Sequence, residues 1–129
     1  MLVVDASVLA PVVADAGEDG ERFRRRLRGE VLAGPDLLRI EVASVLRSHA
    51  LRGALSHDQA DAALDDLLAL PVTVFPTAPL LRRAWALRSG VSSYDGCYIA
   101  LAEAVDRPLV TADRHLANAS GLRCAVEVL

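Results

Sequence analysis

The sequence predicts an α/β fold: a parallel sheet of about four to five strands flanked by helices on both faces. Three observations carry that prediction. Short apolar runs at Leu2-Val3-Val4, Val31-Leu32-Ala33, Val72-Thr73-Val74-Phe75, Leu109-Val110-Thr111 and around Cys124-Ala125-Val126 alternate with longer stretches of helical periodicity, the pattern of βα units. The first run is apolar without interruption, which suits a strand buried on both faces in the middle of a parallel sheet. No repeat, low-complexity tract or linker divides the chain, so one domain over residues 1–129 is expected, long enough to bury a core without disulfides or structural metal.

Taken in order, Asp5-Ala6-Ser7 follows the first strand and opens a helical turn through Val8, Leu9 and Val12. Asp15 to Gly20 reads as a polar turn, and Glu21 to Arg28 as a short helix with Phe23 and Leu27 on its apolar side. Its arginines admit two readings, a solvated face or a hold on RNA or an acidic partner. Pro35-Asp36 opens a long helix to about Arg52. On it Leu37, Leu38 and Val45 are the i−4, i−3 and i+4 neighbours of Glu41, so this acid emerges from the apolar stripe. It is either a ligand or paired group, or a marginal residue whose head reaches water. Gly53 ends the helix. Ser56 with Gln59 forms a capping box for the next one, whose stripe runs through Leu64, Leu67 and Leu68. Pro71 stops it before the Val72–Phe75 strand. Pro79 lies in the first turn of a helix through Leu81, Ala84, Trp85 and Leu87. Ser92-Ser93 caps a further helix with Asp95 in its first turn and an apolar stripe of Tyr94, Tyr98, Leu101 and Val105. Arg107-Pro108 stops it, and the Leu109–Thr111 strand delivers Asp113 just past its carboxyl end. One loose turn over His115–Ala119 precedes the last strand.

The bulk numbers narrow the function classes. With 53% hydrophobic but only 4% aromatic residues, the core is expected to be Leu, Val and Ala. All 14 basic residues are Arg, and the net charge of −3 argues against a generally basic, nucleic-acid-coating surface. Cys97 and Cys124 form no CxxC pair and the histidines lack ligand spacing, which argues against zinc. His49, His57 and His115 are read as surface or core-margin residues, although His115, two residues beyond Asp113, is within reach of a bound phosphate. A strand-like segment begins directly after Met1, so no signal peptide is expected, and no apolar run is long enough for a membrane span. The chain reads as cytoplasmic, with both thiols reduced.

Four acids stand out: Asp5 and Asp113 at carboxyl ends of strands, Asp95 at the start of a helix, Glu41 on an inward helix face. Such strand ends are where α/β sheets collect ligands. Asp5 by itself is equally a helix cap. If the four converge, their like charges raise one another's pKa values unless a cation sits among them. An oxygen-only donor set points to a hard cation, Mg²⁺ or Mn²⁺. A water on such an ion can attack phosphorus while the metal neutralises developing charge. Ser7 and Thr111 are natural hydroxyl partners for the carboxylates, and Arg114 is the arginine nearest in sequence to meet a substrate phosphate.

The segments VVDASVL, PDLLRIEVASVLR, SSYDGCYIALAE and LVTADRHL resemble the four acidic motifs of PIN-domain ribonucleases, above all the small VapC toxins of toxin–antitoxin pairs. The resemblance runs through the whole chain in order. It implies a PIN-like sheet with Asp5, Glu41, Asp95 and Asp113 around one or two Mg²⁺ or Mn²⁺ ions. It also implies endonucleolytic cleavage of RNA, often tRNA or rRNA, inhibition by a small antitoxin protein, and a homodimer. Thr111 matches a position that commonly joins the site. Where some relatives carry a further acid after the last motif, this chain has Arg114-His115-Leu116, which leaves a second metal one ligand short. The alternatives are a catalytically silent PIN-like module that binds RNA or protein, a phosphoryl-transfer domain, and a structure-specific DNA nuclease. The second lacks the Lys it would need, and the third the long insertions.

Overall fold

The computed structural model describes residues 1–129. In chain order the elements are β1 (Leu2–Val4), α1 (Ala6–Ala14), α2 (Glu18–Leu27), β2 (Leu32–Pro35), α3 (Leu38–Leu51), α4 (His57–Ala69) and β3 (Val72–Phe75). A 3₁₀ turn (Ala78–Leu80), α5 (Leu81–Ala86), α6 (Ser93–Val105), β4 (Leu109–Thr111), α7 (Arg114–Ala117) and β5 (Val126–Val128) complete the chain. The five strands form one parallel sheet in the order β3-β2-β1-β4-β5. The expected fold class is therefore the one observed.

The strand order explains where a site can form. From β1 the chain builds outward to β2 and β3 on one side, then returns to place β4 and β5 on the other. Between β1 and β4 the direction of winding reverses, and the loops leaving their carboxyl ends diverge to leave a crevice. β1 is fully buried, as its unbroken Leu-Val-Val predicts, and so is β4. On one side α1 packs against α2, α3 and α4; α5 and α6 pack on each other, with α6 against β1, β2 and β4. A helix joining parallel strands must run antiparallel to them, so α1, α3 and α6 all begin at the carboxyl edge of the sheet.

Several boundaries and faces differ from the sequence expectation. α2 begins at Glu18, inside the expected polar turn. Gly20 lies within this helix because a Cβ there would overlap the carbonyl oxygen of Asp15, so this glycine marks close packing and not a turn. α3 begins at Leu38 because Pro35 is the last residue of β2, paired with Phe75. The Asp36 N–H then donates to the Phe75 carbonyl at 2.8 Å, so strand pairing takes two residues from the expected helix. Pairing of Leu109 with Val126 likewise moves the last strand to Val126–Val128, and the loose turn after Asp113 is Arg114–Ala117. The buried helical stripes are narrower than the sequence pattern predicts. Leu67 and Ala84 are buried, but Leu64, Leu68, Leu81, Trp85 and Tyr94 are exposed. For Leu64, Leu68, Leu81 and Trp85 the preceding residue (Ala63, Leu67, Leu80 or Ala84) fills the inward position and leaves the large side chain outside. The Ser56–Gln59 capping box is present, with Gln59 N–H on Ser56 Oγ at 3.1 Å and Ser56 N–H on Gln59 Oε1 at 2.9 Å.

Gly96 sets the approach of α5 to α6. A Cβ at this position would lie 2.9 Å from Ala84 Cβ and 3.0 Å from its Cα. Alanine is intrinsically the better helix former by about 0.5–1 kcal/mol, whereas overpacking against backbone costs about 1–3 kcal/mol. Gly96→Ala is therefore expected to destabilise by roughly 1–2 kcal/mol, read as a lower denaturant midpoint at unchanged slope. A second tie secures the same helices. Arg83 Nε and Nη2 grip Glu103 at 2.7 and 3.1 Å, and Arg83 Nη2 also donates to the Gly121 carbonyl at 2.6 Å.

Candidate active site

Asp5 is the N-cap of α1. Its Oδ1 accepts the Ser7 N–H at 3.0 Å and the Val8 N–H at 3.3 Å, and the Ser7 hydroxyl donates to the same oxygen at 2.5 Å. Oδ2 accepts one hydrogen bond, from Thr111 Oγ1 at 2.5 Å. A carboxylate oxygen offers two lone pairs, so Oδ2 retains a free acceptor direction in the crevice. The capping reading and the ligand reading thus use different oxygens of one side chain. Both hydroxyls spend their single proton on Asp5 and accept from the backbone just past β4: Ala112 N–H donates to Ser7 Oγ at 2.8 Å, and Asp113 N–H to Thr111 Oγ1 at 3.0 Å. Thr111 is fully buried. The two side chains therefore lock the end of β1 to the end of β4 and hold Asp113 in register with Asp5. Asp113 in turn caps α7 through its Oδ1, which accepts the His115 N–H at 2.8 Å.

Glu41 sits in the first turn of α3, half-buried. Leu38, Val42 and Leu46 are the buried centre of that helix, and Leu37 and Val45 are only partly buried, so Glu41 projects from the margin of the stripe. Tyr98, fully buried on α6, donates its phenolic O–H to Glu41 Oε1 at 3.0 Å. In the sequence Tyr98 stands out only as part of the apolar stripe. The available signal was its buried position one turn after Asp95, since a buried Tyr hydroxyl needs a partner. Asp95 lies in the first turn of α6, whose cap is Ser92: its Oγ accepts the Asp95 N–H at 3.1 Å.

The electrostatics place these acids in one field. Burial pushes Asp5 above the ordinary carboxylate range, and the hydrogen bonds from Ser7, Thr111 and Val8 only partly offset it. Glu41 is raised by burial, with the charges of Asp95 and Asp5 adding and the Tyr98 bond opposing. Asp95 is raised by burial, opposed by Ser92 and raised further by Asp113. Burial, then the negative charge of Glu41, keeps the Tyr98 phenol protonated and donating. None of the four acids is ion-paired; the five salt bridges of the chain all lie elsewhere.

Repulsive, partly buried carboxylates with oxygen donors and no protein cation form the donor set a hard divalent ion requires. No three of them are gathered into a ready-made cage. Mg²⁺ does not need one, because it keeps several waters and takes one or two carboxylates directly. Arg114 is exposed at the first position of α7, directly after Asp113. His115 and His57 are exposed and His49 is partly buried.

These groups give the metal-free protein a specific pH dependence. An acid whose folded pKa is raised holds its proton while the unfolded chain has lost it, so stability falls as pH rises from the unfolded value toward the folded one. The window opens at the ordinary Asp value of 3.8 and extends upward. The opposite effect comes from Glu103, where burial raises the pKa but the bonds from Arg83 and the Arg123 N–H prevail, and from Glu127, lowered chiefly by its bond from Arg26. Their stabilisation is lost only below 4.5. Metal-free Tm is thus expected to decline as pH rises above the ordinary Asp value of 3.8, and added Mn²⁺ to flatten the decline. A metal-free Tm that climbs steadily as pH rises from that value would contradict the field described.

The PIN domain family model matches residues 2–122. The chain is 39% identical over 128 residues to Ribonuclease VapC1 of Mycobacterium tuberculosis, covering 98% of this chain and 96% of that protein. Among solved structures, PAE2754 from Pyrobaculum aerophilum superposes with a TM-score of 0.73 at 27% identity, covering 98% of this chain and 83% of that one. VapC20 of Mycobacterium tuberculosis, described as a Sarcin-Ricin loop cleaving toxin, superposes with a TM-score of 0.72 at 19% identity, covering 93% and 95%; at that identity the likeness is one of fold. With the family model matched over residues 2–122 and sequence similarity over nearly the full length, this chain belongs to the PIN-domain family, alongside the VapC ribonucleases.

Proposed function

We propose that this chain is a Mg²⁺- or Mn²⁺-dependent endoribonuclease toxin of the VapC kind, acting in the cytoplasm and held inactive by a small antitoxin protein. The reading is supported by Asp5 and Asp113 at the carboxyl ends of the neighbouring strands β1 and β4, and by the mutual charge effects that link Glu41 to Asp5 and Asp95, and Asp95 to Asp113, with none of the four in a salt bridge. Asp5 Oδ2, Asp95 and Asp113 would hold the ion, one or two of them directly and the others through its waters, and Glu41, steadied by Tyr98, would complete the set. When bound, the metal supplies an activated water and neutralises charge on the scissile phosphate. The protein's own part is positional: Ser7 and Thr111 fix Asp5 against Asp113, burial keeps the acids poised for a cation, and Arg114 meets a substrate phosphate. The toxin role and the antitoxin rest on the resemblance to VapC proteins, as does the homodimer. No helix is long and apolar enough to cross a membrane.

The test is cleavage of a structured RNA pool with Mg²⁺ or Mn²⁺ and with chelator, using protein stripped of any co-purifying antitoxin. New 5′-phosphate ends that require metal are expected. Arg114→Ala should weaken cleavage of all sequences alike and reduce its salt dependence by roughly one phosphate contact. Metal-independent cutting would count against the mechanism. RNA binding without cutting, in metal, would favour the silent binding module.

A further inference from the structure

From Leu67 to Tyr94 the chain contains no Asp or Glu, and its only charged side chains there are Arg82, Arg83 and Arg88. This is a positive stretch in a chain of net charge −3, and it leads directly into Asp95. Arg83 is committed to Glu103, but Arg82 and Arg88 are exposed and lack any carboxylate partner. The chain has only five aromatic residues. Phe23 and Tyr98 are buried and Phe75 half-buried, whereas Trp85 and Tyr94 are 61% and 64% exposed. Trp85 lies on α5 and Tyr94 in the first turn of α6, the two helices that pack on each other just before Asp95. Ala84 packs on Gly96, and a cleft lined by Ala78, Leu81, Arg82, Ala84, Trp85 and Ser93 joins α5 to the first residue of α6, next to Tyr94 and Asp95. The Arg88 guanidinium lies 5.0 Å from the Trp85 ring centroid and donates to the Trp85 carbonyl at 3.0 Å, which steadies the exposed indole.

We propose that Trp85 and Tyr94, flanked by Arg82 and Arg88, form a stacking platform that binds unpaired nucleobases of the RNA beside the scissile phosphate. The inference rests on the nuclease reading and assigns the substrate-positioning surface of that same site. Exposed aromatic faces interleaved with unpaired arginines suit single-stranded nucleic acid, because every base has a face to stack and every linkage a phosphate to meet. A second copy of the chain is the poorer occupant: a two-fold contact would set this acid-free, arginine-bearing face against itself, and like charges oppose that. A duplex fits less well, since its bases are already stacked.

Trp85 is the only tryptophan, so its fluorescence reports on the platform directly. Full-length protein in chelator is titrated with a mixed-sequence single-stranded oligoribonucleotide and with the corresponding duplex. Saturable quenching by the single strand, weaker with the duplex, is expected. In metal, Trp85→Ala should raise KM for an unstructured RNA about 5- to 150-fold, the worth of one stacked base, with a much smaller effect on kcat. Trp85→Phe should recover most of it. Arg82→Ala should flatten the salt dependence of binding by about 0.7 in log–log slope. RNA cleavage with no quenching and with KM unmoved in Trp85→Ala would overturn the platform while leaving the nuclease intact. A concentration-dependent shift of Trp85 emission without RNA, accompanied by a dimer mass, would also overturn it and assign the face to a second copy. Quenching by single strands in a protein that cuts no RNA would uphold the platform and remove the nuclease.

Discussion

Asp95→Asn is expected to give a folded protein whose RNA cleavage falls by at least about a hundredfold. Groups that only orient a metal ligand typically contribute 10- to 100-fold, and a carboxylate proposed to meet the ion directly must exceed them; a hundredfold corresponds to about 2.7 kcal/mol of transition-state stabilisation. Asparagine preserves the size of the side chain and leaves the α6 cap intact, because the cap contact is made by the backbone N–H of residue 95 on Ser92 Oγ. What disappears is one negative charge in a partly buried field that includes Asp113 and Glu41. The same substitution should therefore raise metal-free Tm by about 2–5 °C, the shift that relief of roughly 1 kcal/mol produces in a domain of this size, and shrink the stabilisation by Mn²⁺. Activity lost, Tm gained and metal response lost is a combination that simple damage to the fold does not produce. Cleavage within threefold of wild type would remove Asp95 from the site.

Thr111→Val is expected to be costly for a different reason. Valine fills the same volume, but the substitution takes the donor from Asp5 Oδ2 and the acceptor from the Asp113 N–H. Leaving buried polar groups without partners costs about 1–3 kcal/mol. Activity should fall about 10- to 100-fold, as for the loss of a group that orients a ligand. Because the Thr111 bond also lowers Asp5, the remaining activity should demand more metal or higher pH. Thr111→Ser, which keeps the oxygen and loses only a methyl group, should restore most of the activity; if Ser and Val behave alike, packing and not the hydroxyl is what matters at this position.

These two residues also show how the sequence and the fold divide the information. The apolar run before Asp5, the Ser-Ser cap before Asp95, the capping box at Ser56 and the Pro stops are local signals. Each is set by backbone hydrogen-bonding needs within one turn or strand, so each could be read from neighbouring residues. The acids themselves were legible for the same reason, because their positions at strand ends and helix starts follow from local rules, and the four motifs together carried the family resemblance. Other features were not local. Which of two adjacent apolar residues faces inward depends on the surface that receives the helix. Leu67 is buried while Leu68 is open, and Ala84 is buried while Trp85 is open. The starts of α3 and β5 were decided by strand pairing to β3 and β4, partners remote in sequence.

The sequence by itself determined the α/β class, the order of the elements and the identity of the four acids, because periodicity, caps and stops act over a few residues. Only the tertiary structure decided that Ser7 and Thr111 share Asp5, that Tyr98 serves Glu41 across 57 positions of chain, and that Trp85 shares a cleft with Ser93 at the start of α6. Each of these is a contact between elements, fixed when the parallel sheet brings β1 next to β4 and Gly96 lets α5 close onto α6.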